Sequence, residues 1–248
     1  MDLFHERRGL VQVGKSNVVC QLWSFVLLFH VPVAGSNALF ESPKLKNAIY
    51  TVGHSTHEMS TFINLLCQHE ITAICDVRSH PFSRFVPQFS RVNLKEVLVG
   101  AGIAYVFLGK ELGGRSDNPA CYRQGKVQFD RLAKEPSFSD GIGRVLQGMH
   151  RYRIALMCAE RDPLECHRAL LVGRRLFEDG VSIIHIHADG AVETHSALES
   201  RLLAVNKLPG CDMFRNREEL VVEAYRIQGE RIAHQNRTIG DDERATSL

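Results

Sequence analysis

The sequence predicts an α/β fold: a compact single domain with a mostly parallel sheet covered by helices on both faces. Two observations carry this expectation. Short apolar stretches with no polar face alternate with helical stretches of ten or more residues, the pattern of strands joined by helical crossovers. The polar residues then gather just beyond the ends of the apolar stretches, where open α/β sheets place their ligands.

The elements follow in order. AIYTVG at 48–53 reads as a strand, and EMSTFINLLCQHE at 58–70 reads as a helix. ITAICDVR at 71–78 is a strand, NLKEVLVGAG at 93–102 a helix and IAYVFLG at 103–109 a strand. Helical sequence occupies 127–152, and RIALMC at 153–158 is a strand too apolar to carry a surface face. The stretch from Pro163 to Gly180 reads as one helix, with Asp162 as N-cap, Pro163 in the first helical position and Glu165 completing a capping box. VSIIHIH at 181–187 is the last strand, and 216–234 is a further helix.

Composition narrows the class. The chain has 248 residues and a formal net charge of +2, so no whole-molecule field calls for nucleic acid or an anionic membrane, and any anion binding must be local. Its 7 cysteines lack the even count and spacing of a disulfide scaffold, and no CxxC pair occurs. Reduced thiols and a cytoplasmic location are the expectation. Residues 1–46 stand apart. A basic start and an apolar run from Val18 to Ala34 have the outline of a secretory signal, but Gln21, His30 and Pro32 interrupt it. The favoured readings are a peripheral element, or upstream sequence brought in by an early start codon. The segment 208–248 reads as a C-terminal helix followed by a disordered polar tail.

The most informative stretch is CAERDPLECHR, Cys158 to Arg168, where a buried strand hands over to a helix. Cys158 and Glu160 follow the strand. Cys166 and His167 fall near the helix start, where a thiol can be held as thiolate by the helix dipole and basic neighbours. A helical wheel instead groups Cys166 with Ala169, Leu170, Gly173, Leu176 and Phe177 as a core face, and turns Arg168 away from the core. The other strand ends contribute His54 and Ser55, then Asp76 and Arg78, then Glu111. Two long polar connections add Arg84 and Arg115, and their prolines, aromatics and glycines predict ordered lids.

From these residue types, Cys158, Glu160, Asp76 and His167 are the candidate catalytic groups. Carboxylates serve as general acid and base, and a Cys with a His serves as nucleophile and base. His54, Ser55, Arg78, Arg84, Glu111, Arg115, Cys166 and Arg168 are the candidate ligand-binding groups, the arginines suiting phosphate or carboxylate. No GxGxxG or Walker A motif is present, so no nucleotide cofactor is expected. A divalent metal on Cys158, Cys166 and His167, with His54, is disfavoured, because adjacent residues on one helix point about 100° apart. His185 and His187 read as packing residues.

Four motifs in order, YTVGHS (50–55), DVRSHPFSR (76–84), GIAYVFLGKELGGR (102–115) and CAERDPLECHR with HIHADG (185–190), resemble the family known as domain of unknown function 488, DUF488. The resemblance covers about residues 48–203, within a domain of 47–207. It implies a compact α/β fold with a cleft formed by these motifs, and it brings no agreed reaction. The functional expectation is therefore an enzyme of hydrolase or transferase type acting on a phosphate-bearing small molecule, nucleotide or nucleic-acid component. The alternative is a non-catalytic nucleotide- or nucleic-acid-binding module, for which Phe82, Arg84, Phe85, Phe89 and Arg91 supply stacking and charge. No membrane partner is expected for the main domain.

Overall fold

The computed structural model describes residues 48–236; the segment 1–46 and the polar tail lie outside the described residues. Strand β1 (Ala48–Gly53) leads through helix α1 (Met59–Gln68) to β2 (Ala73–Asp76), and α2 (Arg91–Gly100) leads to β3 (Ala104–Phe107). A small antiparallel hairpin, β4 (Tyr122–Arg123) and β5 (Lys126–Val127), interrupts the next connection before α3 (Phe129–Leu132) and α4 (Pro136–Met149). Then come β6 (Ile154–Cys158), α5 (Arg174–Glu178), β7 (Ser182–Ile186), β8 (Val192–Thr194), α6 (His195–Val205) and α7 (Arg217–Ile232). Among the described residues no helix is long and apolar enough to cross a membrane.

Six strands form one sheet in the order β3-β2-β6-β1-β7-β8. All neighbours are parallel except β7 and β8. The mostly parallel, doubly covered sheet is the fold that the alternating pattern predicts. Successive side chains point to opposite faces, and each face has its own core. Ile49, Cys75, Leu156 and Ile183 pack with Phe138, Ile142 and Val145 of α4 and with Leu176 of α5. On the other side Tyr50, Val52, Ile74, Met157 and Ile186 pack with Phe62 and Leu66 of α1 and Leu94 and Leu98 of α2. A third cluster joins Leu198 and Leu202 of α6 to Leu220 and Tyr225 of α7, over Leu164 and Leu170.

This layering places the site. β2 and β6 are neighbours, yet the chain leaves β2 toward α2 on one face and leaves β6 toward α5 on the other. Diverging connections open a crevice at the carboxyl ends of the strands.

Several elements differ from the sequence expectation, the β4–β5 hairpin at the start of the stretch read as helical among them. The edge strand β8 and helix α6 lie beyond the last strand read from the pattern. Thr194 accepts from the Ala197 N–H as a cap, and Leu198 and Leu202 are spaced as on a buried helix face, which is the signal that marks α6. The stretch 163–180 is not one helix. Asp162 caps a single tight turn, Pro163–Glu165, by accepting from the Leu164 N–H. Cys166 is then extended, at φ −139° and ψ 136°. The chain next forms a wide π-helical turn, Arg168–Gly173, all six residues of which are buried, before α5 begins. A wheel of 3.6 residues per turn does not apply across such a break, so Arg168 lies inside the protein with no solvent exposure.

Candidate functional site

Two residues after the start of the β2 exit, Arg78 is buried and tied down. Its Nε and Nη2 donate to the two carboxylate oxygens of Asp76 at 2.9 and 2.7 Å, and its backbone N–H donates to Asp76 Oδ1 at 3.1 Å. Tyr105 O–H also donates to Asp76, at 2.8 Å. A carboxylate with four donors is committed to holding the loop, which leaves Asp76 wholly buried as the anchor of Arg78. The remaining contact of Arg78 runs to His54, with Nη1 3.0 Å from Nε2. His54 Nδ1 donates to the Ser55 carbonyl at 2.9 Å, so the ring is neutral and accepts from Arg78. Burial, then the Arg78 charge, lowers its pKa to about 4. Its ring stacks on Phe89.

Beyond β6 lies a denser cluster. The Nδ1 of His167 is 3.7 Å from Cys158 Sγ and 3.9 Å from Cys166 Sγ. On the other side of the ring, Nε2 is 2.9 Å from the Val77 carbonyl, so Nε2 carries the proton and the Nδ1 lone pair faces both sulfurs. Cys166 Sγ lies 2.9 Å from Glu160 Oε2 and accepts the Arg168 N–H at 3.4 Å. Cys158 and Cys166 are both buried. Burial, then the neighbouring thiol, pushes the Cys158 pKa well above the ordinary range. Burial would raise Cys166 as well, but the Cys158 hydrogen bond and then the Arg168 charge bring it well below. Desolvation in the cleft, then Cys166, raises Glu160.

These groups open into a cleft of about 280 Å³. Cys158, Glu160 and His167 line it together with Arg115, His80 and His234. Arg115 Nη1 is 3.3 Å from His80 Nδ1. Burial, then the charges of Arg115 and His80, lowers the pKa of His234, as expected where cationic groups converge. His234 comes from the end of the α7 segment, outside the four motifs, and His80 sits inside DVRSHPFSR; the sequence reading singled out neither. A histidine two residues beyond Arg78 on the same strand exit was the available signal for His80. Nothing in the sequence signalled His234.

The remaining candidates fall elsewhere. Arg78 borders the cleft but is held by Asp76, and His54 lies behind it. Ser55 donates its backbone N–H to the Ala159 carbonyl at 2.9 Å and does not line the cleft. Arg84 is exposed on the 79–90 connection. Glu111 pairs with Arg144 and lines an adjoining cleft of about 460 Å³ that shares Ser79, His80 and Arg115 with the first. Arg168 does not line the cleft; it donates to the carbonyls of Glu160 and Arg161 at 2.6 and 3.2 Å. The connection expected to bury its aromatics buries Phe89 alone of its three phenylalanines, while Phe82 and Phe85 are 72% and 96% exposed.

Cys166 is extended rather than helical, so the angular obstacle to a shared metal falls away: the ligand atoms of Cys158, Cys166 and His167 all lie within 4.8 Å of one another.

An open, mainly parallel sheet with helices on both faces and a polar cleft at its carboxyl edge defines a three-layer α/β domain. Residues 58–174 match the family model described as Domain of unknown function DUF488, the family that the four motifs resemble. No curated protein and no solved structure matches the chain.

Proposed function

We propose that the protein is an enzyme acting on a phosphate-bearing small molecule, a nucleotide or a nucleic-acid component, held in the cleft between β2 and β6. One observation carries this reading: a guanidinium and two imidazoles line the same cleft as proton-carrying and sulfur groups. Arg115 offers charge-assisted donors to an anion, and His80 and His234 line the cleft with it. Cys158, Glu160 and His167 share that cleft, where the reacting part of the ligand would sit. Glu160, its pKa raised by desolvation and then by its thiol neighbour, is the proton carrier, the carboxyl that lines the cleft beside both sulfur groups. Cys158 and His167 make up the reactive wall.

The test is a thermal-shift and native mass-spectrometry screen of nucleotides and sugar phosphates. A binder is expected whose affinity falls about tenfold or more in Arg115→Ala. Glu160→Gln is expected to keep the ligand and lose turnover, and Cys158→Ser to lose turnover as well. A screen in which no phosphate compound binds, or in which Arg115→Ala binds as well as the parent, removes the proposal.

A second reading rests on Phe82 and Phe85, exposed beside the exposed Arg84. Aromatic faces and a cation on one loop are what a single nucleic-acid strand stacks on. In a non-catalytic module of that kind, Glu160→Gln and Cys158→Ser would change nothing.

A further inference from the structure

We propose that Cys158, Cys166 and His167 form a binding site for a divalent transition metal of the zinc class, with a fourth coordination position open to the cleft. The spacing fits. With Zn–S near 2.3 Å and Zn–N near 2.0 Å, a tetrahedral ion holds its ligand atoms about 3.5–3.8 Å apart. The two sulfur-to-Nδ1 distances are 3.7 and 3.9 Å, and all three ligand atoms lie within 4.8 Å of one another. Little movement is needed to close the set around an ion.

The surroundings fit as well. A metal-bound histidine usually donates its other ring N–H to a carbonyl or carboxylate, which fixes the tautomer and aims the lone pair. His167 does this through Nε2 to the Val77 carbonyl, at 2.9 Å. The backbone N–H of Arg168 points at Cys166 Sγ, at 3.4 Å, a donor suited to a thiolate. Two thiolates and a divalent cation sum to zero charge, which a buried site tolerates far better than bare thiolates. Gly114 packs against the ring: a Cβ there would stand 3.0 Å from His167 Cγ, so a larger residue would have to shift the imidazole by a few tenths of an ångström.

Two sulfurs and one nitrogen leave a tetrahedral position unfilled, the arrangement of catalytic rather than structural zinc. Cys158 and His167 line the cleft, so that position faces the proposed substrate. The assignment deepens the proposed function by giving it a reaction class, metal-assisted hydrolysis. Glu160 takes the proton from a polarised water as the new oxygen bond forms to the substrate's electrophilic atom. The bond to the leaving oxygen breaks, and that oxygen receives the proton from Glu160.

The experiment uses the full chain, reduced and freed of metal, with zinc and cobalt as probes and no substrate. About one zinc per chain is expected by elemental analysis, and cobalt is expected to give sulfur-to-metal charge-transfer absorption with the intense visible bands of a four-coordinate ion. Cys166→Ser and His167→Ala should lose the stoichiometric metal, and Cys211→Ser, at an exposed cysteine, should keep it. Should the site variants fail to fold, the parent's cobalt spectrum still decides. No uptake by the parent, a weak octahedral spectrum, or equal uptake by a folded Cys158→Ser/Cys166→Ser double variant overturns the site. Metal uptake without any phosphate ligand would overturn the proposed substrate class and leave the metal site standing; an Arg115-dependent ligand without metal uptake would do the reverse.

Discussion

Arg168 grips the backbone of Glu160 from inside the protein: its Nη1 donates to the Glu160 carbonyl at 2.6 Å, from a side chain with no solvent exposure. The same carbonyl lies 1.9 Å from where a Cβ on Gly53 would stand. The turn that carries Glu160 is therefore held by a buried guanidinium and packed against the end of β1. Its position is set by packing that never touches a ligand.

Arg168→Met should cost about 2–4 kcal/mol of stability, because it strips the donors from two carbonyls in a buried region. Arg168→Lys should recover little of it, since one ammonium cannot reproduce the planar fork that spans both carbonyls. Urea unfolding followed by circular dichroism measures both. A loss under about 0.5 kcal/mol, the range of ordinary surface substitutions, would mean that the clamp holds nothing.

Gly53→Ala tests the packing of the turn on β1. The added methyl must push the Glu160 carbonyl away or strain β1, and overpacking of this kind costs about 1–3 kcal/mol. Because the displaced group carries Glu160, activity in the cleft should fall by more than stability alone explains. Thermal unfolding beside an activity or ligand-binding assay separates the two effects.

Asp76→Asn should be among the most damaging single changes. It leaves Arg78 buried with its main counter-charge gone, a loss typically of about 3–5 kcal/mol. Tyr105→Phe removes only one of the bonds to Asp76 and should cost about 1 kcal/mol. The ratio between the two variants in chemical denaturation is the informative quantity; equal effects would contradict the assignment of Asp76 as the anchor of Arg78.

Acid should destabilise the fold through a buried histidine relay. Thr51 Oγ1 is 2.8 Å from His185 Nδ1, His185 Nε2 is 3.0 Å from His195 Nδ1, and His195 Nε2 is 2.8 Å from Tyr225 O–H, which donates onward to Glu199. Every link is satisfied with both rings neutral; a proton added at His195 Nδ1 opposes the N–H of His185 Nε2, and one added at His185 Nδ1 opposes the Thr51 hydroxyl that donates to it. Burial, then the Arg174 charge, lowers His195 to about 4; burial, then His195, lowers His185 well below its ordinary value. In the unfolded chain both titrate near 6.5. The unfolded state therefore binds more protons below that point, so stability is full above about pH 6.5 and declines as pH falls toward 4. His195→Gln should flatten that decline in a series of urea titrations across this range, and an unchanged slope would exclude the relay as its source.

How much of this was legible in the sequence depended on whether a local pattern or a tertiary contact set the outcome. Runs such as AICD and IALMC are buried on both faces, so the parallel sheet could be read from them directly. The convergence of Cys158, Glu160 and His167 followed from the rule that strand ends share a rim. Other features had no local signal. Cys166 and His167 read as neighbours on a helix, but burying the Arg168 guanidinium against two carbonyls accompanies an extended residue and a π turn at that point. Arg78 read as a phosphate ligand with pairing to Asp76 or Glu160 as the alternative, and only the folded chain shows Asp76, two residues earlier, holding it. His234 reaches the cleft only because α7 packs over Leu164 and Leu170 through Leu220 and Tyr225, a contact between distant segments.

The 79–90 connection separates the two functional readings. Phe82 and Phe85 face solvent, while Phe89, a few residues on, is fully buried between His54 and Phe62. The anchored ring fixes the loop, so the exposed pair can be changed without unfolding it. Phe82→Ser/Phe85→Ser should therefore leave stability within about 0.5 kcal/mol, as for other surface substitutions. If the loop serves a single nucleic-acid strand, the same change should weaken binding of a fluorescent oligonucleotide by about 1–3 kcal/mol per lost stack, and Arg84→Ala should make the remainder less sensitive to salt. If the protein acts only on a small phosphate compound in the cleft, the parent will show no oligonucleotide binding for these variants to lose, and Arg115→Ala will carry the effect on ligand. Anisotropy titrations at two salt concentrations, run on the parent and the three variants, distinguish a recognition loop from a bystander.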